Sequence, residues 1–265
     1  MNETMMQNRM ESAAGEPILE VKGLKKYFPT KRGLLHAVDD VNFSIQKGNT
    51  MGLVGESGCG KSTLAKLITR LVEPTAGTIH LNGKEITKAR GKELRDAYRQ
   101  VQMVFQSPAG SFDPRKTLGY GIGESMRNRG IPKADRMRRT EELLEQCGLS
   151  PEYAGRYPHE ISGGQCQRAA LARALAIRPK LLICDEATSA LDVTVQQQIM
   201  ELLKSLKQEN QLSFLFICHN LALVQSFCDR VLVMCEGKIV EDGTPEQIIQ
   251  TPRSEYTRHL VDAAF

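Results

Sequence analysis

The nine residues Gly55-Glu56-Ser57-Gly58-Cys59-Gly60-Lys61-Ser62-Thr63 end in a lysine and two hydroxyl side chains that follow three glycines. An apolar run, residues 51–54, precedes them, and apolar residues at positions 64, 67, 68 and 71 follow at helical spacing. The residues match the pattern G-x-x-x-x-G-K-[ST], and a strand before the loop with a helix after it is the context that this pattern requires. The sequence therefore predicts a phosphate-binding loop.

Each residue type in this loop has a physical reason. Glycines let the backbone curl so that successive N–H groups face one anion, and the helix N-terminus adds partial positive charge. Lys61 is expected to reach the β and γ phosphates of a nucleotide, and the Ser62 hydroxyl is expected to ligate the accompanying Mg²⁺. A plain turn between strand and helix is the alternative, which the Lys-Ser pair disfavours.

Length and composition exclude few classes of protein. The chain has 265 residues, and its hydrophobic and charged fractions, 41% and 25%, are ordinary for a soluble globular protein with one or two domains. No apolar run approaches the roughly 18 residues of a membrane span, and the N-terminus lacks an apolar secretory core. A net charge of +4 argues for neither nucleic acid nor lipid. Seven cysteines without a C-x-x-C pair favour reduced thiols in the cytosol.

Apolar runs alternate with helical patterns along most of the chain, which predicts an α/β fold with a mainly parallel sheet covered on both faces. Short alternating segments near the N-terminus predict antiparallel strands at one edge of the sheet. The predicted strands are 18–21, 37–45, 51–54, 78–81, 101–105, 181–184, 214–218 and 231–234, and the predicted helices are 64–71, 92–98, 171–177 and 195–208. Residues 1–16 show no usable period and are expected to be a loose tail.

Residues 107–160 differ from the rest, because proline and glycine punctuate the start of this segment and helical patterns follow. We expect a helical subdomain inserted into the α/β core, with its clearest helix over 133–147. Six basic residues lie between Arg127 and Arg139. A solvated helix face is the plainer interpretation, and a surface near anionic lipid headgroups is the alternative.

Two acids, Asp185 and Glu186, end the buried strand that begins at Leu181. Asp185 at the strand tip is placed to hold Mg²⁺, directly or through water. Glu186 is placed to accept a proton from an attacking water as a general base. Taken alone, the pair could equally be ordinary solvated loop residues.

The segment Ile161-Ser162-Gly163-Gly164-Gln165 resembles the signature motif of ATP-binding cassette (ABC) ATPases, which usually begins with leucine. The resemblance runs from about residue 18 to the C-terminus. A serine hydroxyl and two glycine N–H groups at the head of a helix make a second anion site. The resemblance implies that this site faces the γ phosphate held by a second subunit, so that a head-to-tail dimer encloses two ATP molecules.

The resemblance also carries functional roles to other positions. Gln106 matches the Q-loop glutamine, which touches Mg²⁺ and the attacking water and relays nucleotide state to a membrane subunit. Residues 189–192, ending at Asp192, match the D-loop, and His219 matches the switch histidine that contacts the γ phosphate. The aromatic residue for adenine stacking is expected to be Phe28, with Tyr27 as second choice.

Two residues depart from the family pattern, and one cysteine of the phosphate loop is a candidate for chemical modification. Ala187 replaces a common proline, and Asn220 replaces a common aspartate near the D-loop. Cys59 lies beside a helix N-terminus and Lys61, an environment that favours a reactive thiol. We therefore expect alkylation at Cys59 that MgATP blocks, and an inert small side chain is the alternative.

Three segments, 105–115, 157–160 and 251–258, resemble the ATPases of the peptide and nickel importer group. Many members carry clustered C-terminal cysteines, whereas the last cysteine here is Cys235, so an iron-sulfur cluster is not expected. The resemblance implies an ABC ATPase domain over 17–250 and a group-specific extension over 251–265. Peptide and nickel remain open as the transported solute.

The resulting hypothesis is an ATP-hydrolysing subunit that energises peptide import from the cytoplasmic face of the cell membrane. The expected partners are two membrane permease subunits, a second identical or homologous ATPase and, indirectly, a solute-binding protein. The alternatives are an ATPase for nickel or another small solute and, less favoured, a soluble cassette ATPase acting on nucleic acid or ribosomes. A GTPase switch would need a guanine-reading Asn-Lys-x-Asp segment, which the sequence lacks.

Overall fold

The computed structural model describes residues 16–31, 33–187 and 193–264. The strands are β1 (Pro17–Thr30), β2 (Gly33–Gln46), β3 (Thr50–Val54), β4 (Ala76–Leu81), β5 (Lys84–Glu85), β6 (Val101–Val104), β7 (Leu181–Asp185), β8 (Ser213–Ile217), β9 (Arg230–Cys235) and β10 (Lys238–Gly243). The helices are α1 (Lys61–Ile68), α2 (Gly91–Tyr98), α3 (Leu118–Ile122), α4 (Glu124–Arg127), α5 (Lys133–Gln146), α6 (Gly163–Leu175), α7 (Val193–Asn210), α8 (Leu221–Phe227), α9 (Pro245–Gln250) and α10 (Glu255–Asp262). Short 3₁₀ turns cover Pro108–Ser111, Pro151–Gly155 and Pro158–Glu160.

Six strands form the main sheet in the order β10-β9-β3-β8-β7-β6. The pairs from β9 to β6 are parallel, whereas β10 is an antiparallel edge strand beside β9. Every residue of β3, β7 and β8 is buried, as expected for strands covered on both faces. The carboxyl ends of β3, β7 and β8 therefore share one edge of the sheet, and the segments that follow these strands meet there.

The N-terminal strands lie in a second sheet rather than at the edge of the first one. They form a four-stranded antiparallel sheet in the order β2-β1-β4-β5. Asn82 and Gly83 form the turn between β4 and β5 with φ of 50° and 77°, the left-handed pair that tight hairpins require. The alternating pattern of β1 and β2 predicts strands correctly, but it does not specify the sheet that they join.

The main sheet separates two hydrophobic clusters, and successive residues of each strand face opposite clusters. On one side, Leu182 and Cys184 pack with α6, α7 and the helices that follow residue 117. On the other side, Leu181 and Ile183 pack with α1 and the antiparallel sheet. The fold class predicted from the sequence, an α/β core with a mainly parallel sheet and added helices, is confirmed.

The inserted segment consists of short helices, as predicted. Helix α5 ends close to the expected position, and Gly148, two residues after its last residue, adopts φ of 70°. The described residues also include two C-terminal helices, α9 and α10, which the sequence patterns did not predict. Residues 1–15 of the expected tail lie outside the described ranges.

Candidate functional site

The phosphate loop connects β3 to α1, and two of its glycines pack so closely that no side chain fits there. A Cβ atom at Gly55 would lie 2.1 Å from the carbonyl oxygen of Met234. A Cβ at Gly60 would lie 2.2 Å from the carbonyl oxygen of Ala37. Both glycines also have positive φ, at 150° and 112°. The loop conformation therefore requires glycine at these positions.

Lys61, the first residue of α1, is folded back onto the loop. Its Nζ donates to the carbonyl oxygens of Gly55 and Glu56, both at 2.7 Å, and lies 3.7 Å from Cys59 Sγ. The residue is 4% exposed. A buried ammonium held by carbonyl oxygens is satisfied without an opposing charge, and an anion in the loop would compete for it.

Ser62 and Asp185 meet where the phosphate loop passes the end of β7. The Ser62 hydroxyl donates to Asp185 Oδ1 at 3.0 Å. Burial is the main cause that raises the pKa of the Asp185 carboxyl above its ordinary value, and the hydrogen bond from Ser62 opposes that shift. Two oxygen ligands that lie this close form a donor set that suits a hard divalent cation.

Glu186 follows β7 and turns back toward the loop. It adopts φ of 50°, a left-handed conformation that is uncommon for a residue with a side chain. Gln106 donates from Nε2 to Glu186 Oε2 at 2.6 Å, and His219 Nε2 contacts Oε1. His219 Nδ1 lies 3.2 Å from the carbonyl oxygen of Gly55. Three predicted catalytic side chains thus meet beside the loop.

A cleft of about 650 Å³ opens above the phosphate loop, and we call it the loop cleft. Its lining includes residues 57–63, Gln106, Glu186 and Phe28. Tyr27, the second choice for adenine stacking, instead donates its hydroxyl to Asp39 at 2.6 Å and stacks on His36. The structure therefore favours Phe28 as the aromatic surface of the cleft.

The signature residues lie at the start of α6 and do not line the loop cleft in the described part of this chain. Ser162 is the N-cap, and its hydroxyl accepts from the Gln165 N–H at 3.3 Å. Gln165 Oε1 accepts from the Ser162 N–H at 3.0 Å, which completes a capping box. A Cβ atom on Gly163 would meet no atom within 4 Å, so the head of this helix is open to a ligand or partner.

Two sequence expectations have different outcomes. The D-loop, including Asp192, lies outside the described residues. Asn220, which departs from the family pattern, is the N-cap of α8, and its side chain accepts from the N–H groups of Ala222 and Leu223 at 2.9 and 3.3 Å. An asparagine oxygen performs this capping as well as an aspartate oxygen does.

The C-terminal helix α10 contacts the phosphate loop, which the sequence motifs did not indicate. Tyr256, on α10, accepts a hydrogen bond from the backbone N–H of Glu56 at 2.9 Å. The two residues lie 200 positions apart, so no local pattern could have related them. The sequence analysis assigned the segment around Tyr256 only by its resemblance to an importer group.

The charged segment around α5 is largely paired within the chain. Arg136 donates to the carbonyl oxygen of Ile131 at 2.6 Å, and Arg138 and Arg139 contact acids on the same helix. Arg127 lies over the ring of Tyr120 at 4.0 Å. These contacts favour the plainer interpretation, a solvated helix face. Across residues 16–31, 33–187 and 193–264, no helix is long and apolar enough to cross a bilayer.

A glycine-rich loop between a parallel strand and a helix, with an acid at the end of a neighbouring strand, defines a P-loop nucleoside triphosphatase. The ABC transporter family matches residues 38–189, more than half of the chain. The chain belongs to the ABC transporter family and is one of its ATP-hydrolysing subunits.

Relatives and solved structures agree with this assignment. The oligopeptide transport ATP-binding protein OppF of Bacillus subtilis is 47% identical over 252 residues, which cover 94% of this chain and 82% of that protein. The glutathione import ATP-binding protein GsiA of Salmonella typhimurium is 46% identical over 257 residues, but the match covers only 41% of its length. A dimeric post-hydrolysis structure of the cassette MJ0796 with ADP and Pi has a TM-score of 0.80 and 27% identity, covering 86% of this chain and 98% of that one.

Proposed function

We propose that this subunit binds MgATP in the loop cleft and hydrolyses it to drive the uptake of peptides across the cell membrane. The observation that carries the catalytic part is the position of Glu186, whose carboxylate lies at the cleft between Gln106 and His219. The relatives named for oligopeptide, peptide and glutathione import carry the assignment of the solute class.

The chain's own residues account for each part of the reaction. The loop N–H groups and Lys61 hold the phosphates, and Lys61 exchanges two backbone carbonyls for phosphate oxygens. Glu186 accepts the proton of the water that attacks the γ phosphorus, and the bond to the leaving ADP oxygen breaks. Gln106 orients that water, and His219 stabilises the γ phosphate and fixes the Glu186 carboxylate.

Mg²⁺ fits the residues that surround the phosphate loop. Ser62 and Asp185 supply oxygen donors 3.0 Å apart, and no cationic side chain among the described residues donates a hydrogen bond to the buried Asp185 carboxylate. With Gln106, these residues would hold the ion beside the phosphates. When bound, the ion would neutralise charge on the β and γ phosphate oxygens.

Two copies of the ATPase are needed for a complete site under this proposal. The loop cleft and the head of α6 are separate in one chain, so residues 162–165 of a second, identical or homologous subunit would cover the γ phosphate. The dimeric MJ0796 structures support such an arrangement by similarity. Closing and reopening of the pair would transmit the energy of hydrolysis.

A groove in the inserted helices supports a permease partner. It has a volume of about 350 Å³ and lies between α3, α5 and the turn at Pro151–Gly155. Tyr120 and Met137 in this groove are 44% and 54% exposed, although both are large and apolar. We propose that one of the two permease subunits places a helical segment in this groove and that the other does the same in the second ATPase. These contacts would hold the ATPase on the cytoplasmic face of the membrane. Gln106 lines the loop cleft and stands at the start of the chain segment that leads to the inserted helices.

The test uses Glu186→Gln in tagged protein. We expect the variant to bind ATP and to hydrolyse it at least 100-fold more slowly than wild type, because the general base is lost. Glu201→Gln, an exposed glutamate on α7, is the matched control and is expected to hydrolyse ATP normally. Turnover by Glu186→Gln within a few-fold of wild type would refute the assigned role.

The same variant tests the transport part. Affinity purification from detergent-solubilised native membranes with ATP is expected to recover permease subunits and an associated binding protein. That binding protein is then titrated with peptides and with Ni²⁺. Peptide binding supports the proposed solute, Ni²⁺ binding supports the nickel alternative, and ribosomal or nucleic-acid partners without a permease would contradict importer function.

A further inference from the structure

The C-terminal helix α10 reaches the phosphate loop through one side chain. Tyr256 packs against the hydrophobic cluster that includes Val54 and Val233, as do Leu260 and Val261 from the same helix. Its hydroxyl oxygen accepts the N–H of Glu56, the second residue of the loop, at 2.9 Å. Burial raises the pKa of this phenol above its ordinary value, so the hydroxyl stays protonated at neutral pH.

Helix α10 is itself fixed to the main sheet. The carboxylate of Glu241, on β10, accepts from the N–H groups of Arg253 and Ser254 at 2.9 and 3.0 Å. These groups lie immediately before the first turn of α10, where a negative charge is favourable. The position of Tyr256 is therefore set from both sides, by apolar packing and by a charge-assisted anchor.

The contact with Tyr256 differs from those that Lys61 makes. Lys61 holds the carbonyl oxygens of Gly55 and Glu56, and these bonds are given up when its ammonium turns to a phosphate. The hydrogen bond to Tyr256 uses the N–H of Glu56, which lies outside the stretch 57–63 that lines the loop cleft, so phosphate binding in the cleft leaves it in place. It thus supports the start of the loop in the free and the bound protein.

We propose that Tyr256 is a positioning residue for the phosphate loop and that docking of α10 and binding of MgATP stabilise each other. This inference rests on the proposed ATP-binding function of the loop. By thermodynamic reciprocity, anything that draws α10 away from the sheet weakens ATP binding, and ATP holds α10 in place to the same extent.

Tyr256→Phe tests the proposal, because it keeps the ring and removes only the oxygen. We expect faster hydrogen exchange at the Glu56 amide, measured by NMR without nucleotide. We also expect a rise of about 2- to 10-fold in the Kd for MgATP, the range for loss of one hydrogen bond. The KM for ATP should change more than kcat, since the loop holds substrate and transition state alike.

His259→Gln is the matched control, because His259 lies three residues further along α10 and its side chain is 75% exposed. It should leave Glu56 exchange and the Kd unchanged. Leu260→Ala, which removes apolar packing of α10, should shift both quantities in the direction of Tyr256→Phe. Glu241→Gln, which loses part of the anchor, should shift both quantities in the direction of Tyr256→Phe. Unchanged Glu56 exchange and Kd in Tyr256→Phe, or equal shifts in His259→Gln, would overturn the proposal. If wild-type protein did not bind MgATP, the proposed function would be refuted instead. Glu56 exchange in Tyr256→Phe would then still show whether Tyr256 holds the loop.

Discussion

Glu186 combines backbone strain with the proposed role of general base. Its left-handed backbone costs about 1–2 kcal/mol relative to a right-handed one. The Glu186 N–H donates to the Ile217 carbonyl oxygen at 3.0 Å, which fixes the turn at the end of β7. The turn aims the carboxylate at the loop cleft, where its side chain is 13% exposed. Strain of this kind is commonly retained at functional sites.

Asp185 predicts a pH dependence of metal binding. Its raised pKa means that the carboxyl takes up a proton at a higher pH than an exposed aspartate, whose pKa is about 3.9. Because only the ionised carboxylate could serve as the proposed Mg²⁺ ligand, we expect the affinity for MgATP to fall as the pH is lowered, beginning above that value. Asp185→Asn should bind MgATP more weakly and lose this dependence. Titration calorimetry across the acidic range measures both effects.

The same shift has a consequence for stability. A carboxyl whose pKa is raised by folding destabilises the folded protein once it ionises, so its cost appears as the pH rises through the raised pKa. Asp185→Asn should therefore melt higher than wild type at neutral pH in the absence of nucleotide. An equal or lower melting temperature would contradict a desolvated carboxylate at this position.

The position of Cys59 predicts that bound nucleotide protects its thiol from alkylation. Cys59 is only 8% exposed, but it lines the loop cleft, whereas Cys147, Cys184 and Cys218 do not, and burial raises the pKa of those three thiols to about 12 and leaves them unreactive. We expect a maleimide to modify Cys59 in the free protein and saturating MgATP to prevent it. Peptide mass spectrometry locates the adduct, and Cys59→Ser is the control. Equal labelling with and without MgATP would contradict this prediction.

At the scale of the elements, apolar runs locate the buried strands well. The structure places β7, β8 and β9 within one residue of their expected ends, because four or five consecutive apolar residues mark each of these covered strands. The long strands β1 and β2 extend far beyond their predicted segments. Residues 26–30 pair with residues 33–38 in a partly exposed sheet, where alternation gives little signal.

The candidate site was predictable to the extent that its residues belong to motifs. Gln106, Glu186 and His219 follow the strands β6, β7 and β8, which are neighbours in a parallel sheet, so their meeting follows from topology. Tyr256 has no such relation to the loop, because α10 docks through apolar contacts and the Glu241 carboxylate. Contacts of this kind depend on the complete fold.

The groove between α3 and α5 predicts a change that affects assembly but not the free subunit. Met137→Glu places a charge on the exposed apolar floor of the groove. We expect ATP hydrolysis by the isolated ATPase to remain near wild type, while copurification of permease subunits falls by at least 10-fold. Met137→Leu keeps the apolar surface and is expected to retain both. Normal recovery of permease subunits with Met137→Glu would exclude this groove.

At the scale of the whole molecule, the proposed head-to-tail dimer predicts that a negative charge at the head of α6 prevents dimer formation. Ser162→Glu adds negative charge at the head of α6, which would face the γ phosphate held by the partner. In the Glu186→Gln background, we expect ATP to produce dimers that Ser162→Glu abolishes, while the Kd for ATP in the monomer is unchanged. Analytical ultracentrifugation with and without ATP measures this.

The control for the dimer is also a capping serine. Ser150 caps the turn at Pro151–Gly155 and accepts from the Glu152 N–H, so Ser150→Glu changes a similar cap away from α6. Dimers of Ser150→Glu should form normally. Persistence of dimers in Ser162→Glu would show that the signature segment does not face a nucleotide across the interface.

The order of the main sheet also determines when β3 acquires its neighbouring strands during synthesis. Strand β3 pairs with β8 and β9, so Thr50 lies beside Phe214 and Met51 beside Arg230. A ribosome that adds about 5–20 residues per second needs roughly 8 to 35 s to supply these neighbours once β3 has been synthesised. During that interval β3 lacks the two strands that flank it in the folded protein, and unpaired apolar strands of this kind are prone to aggregate.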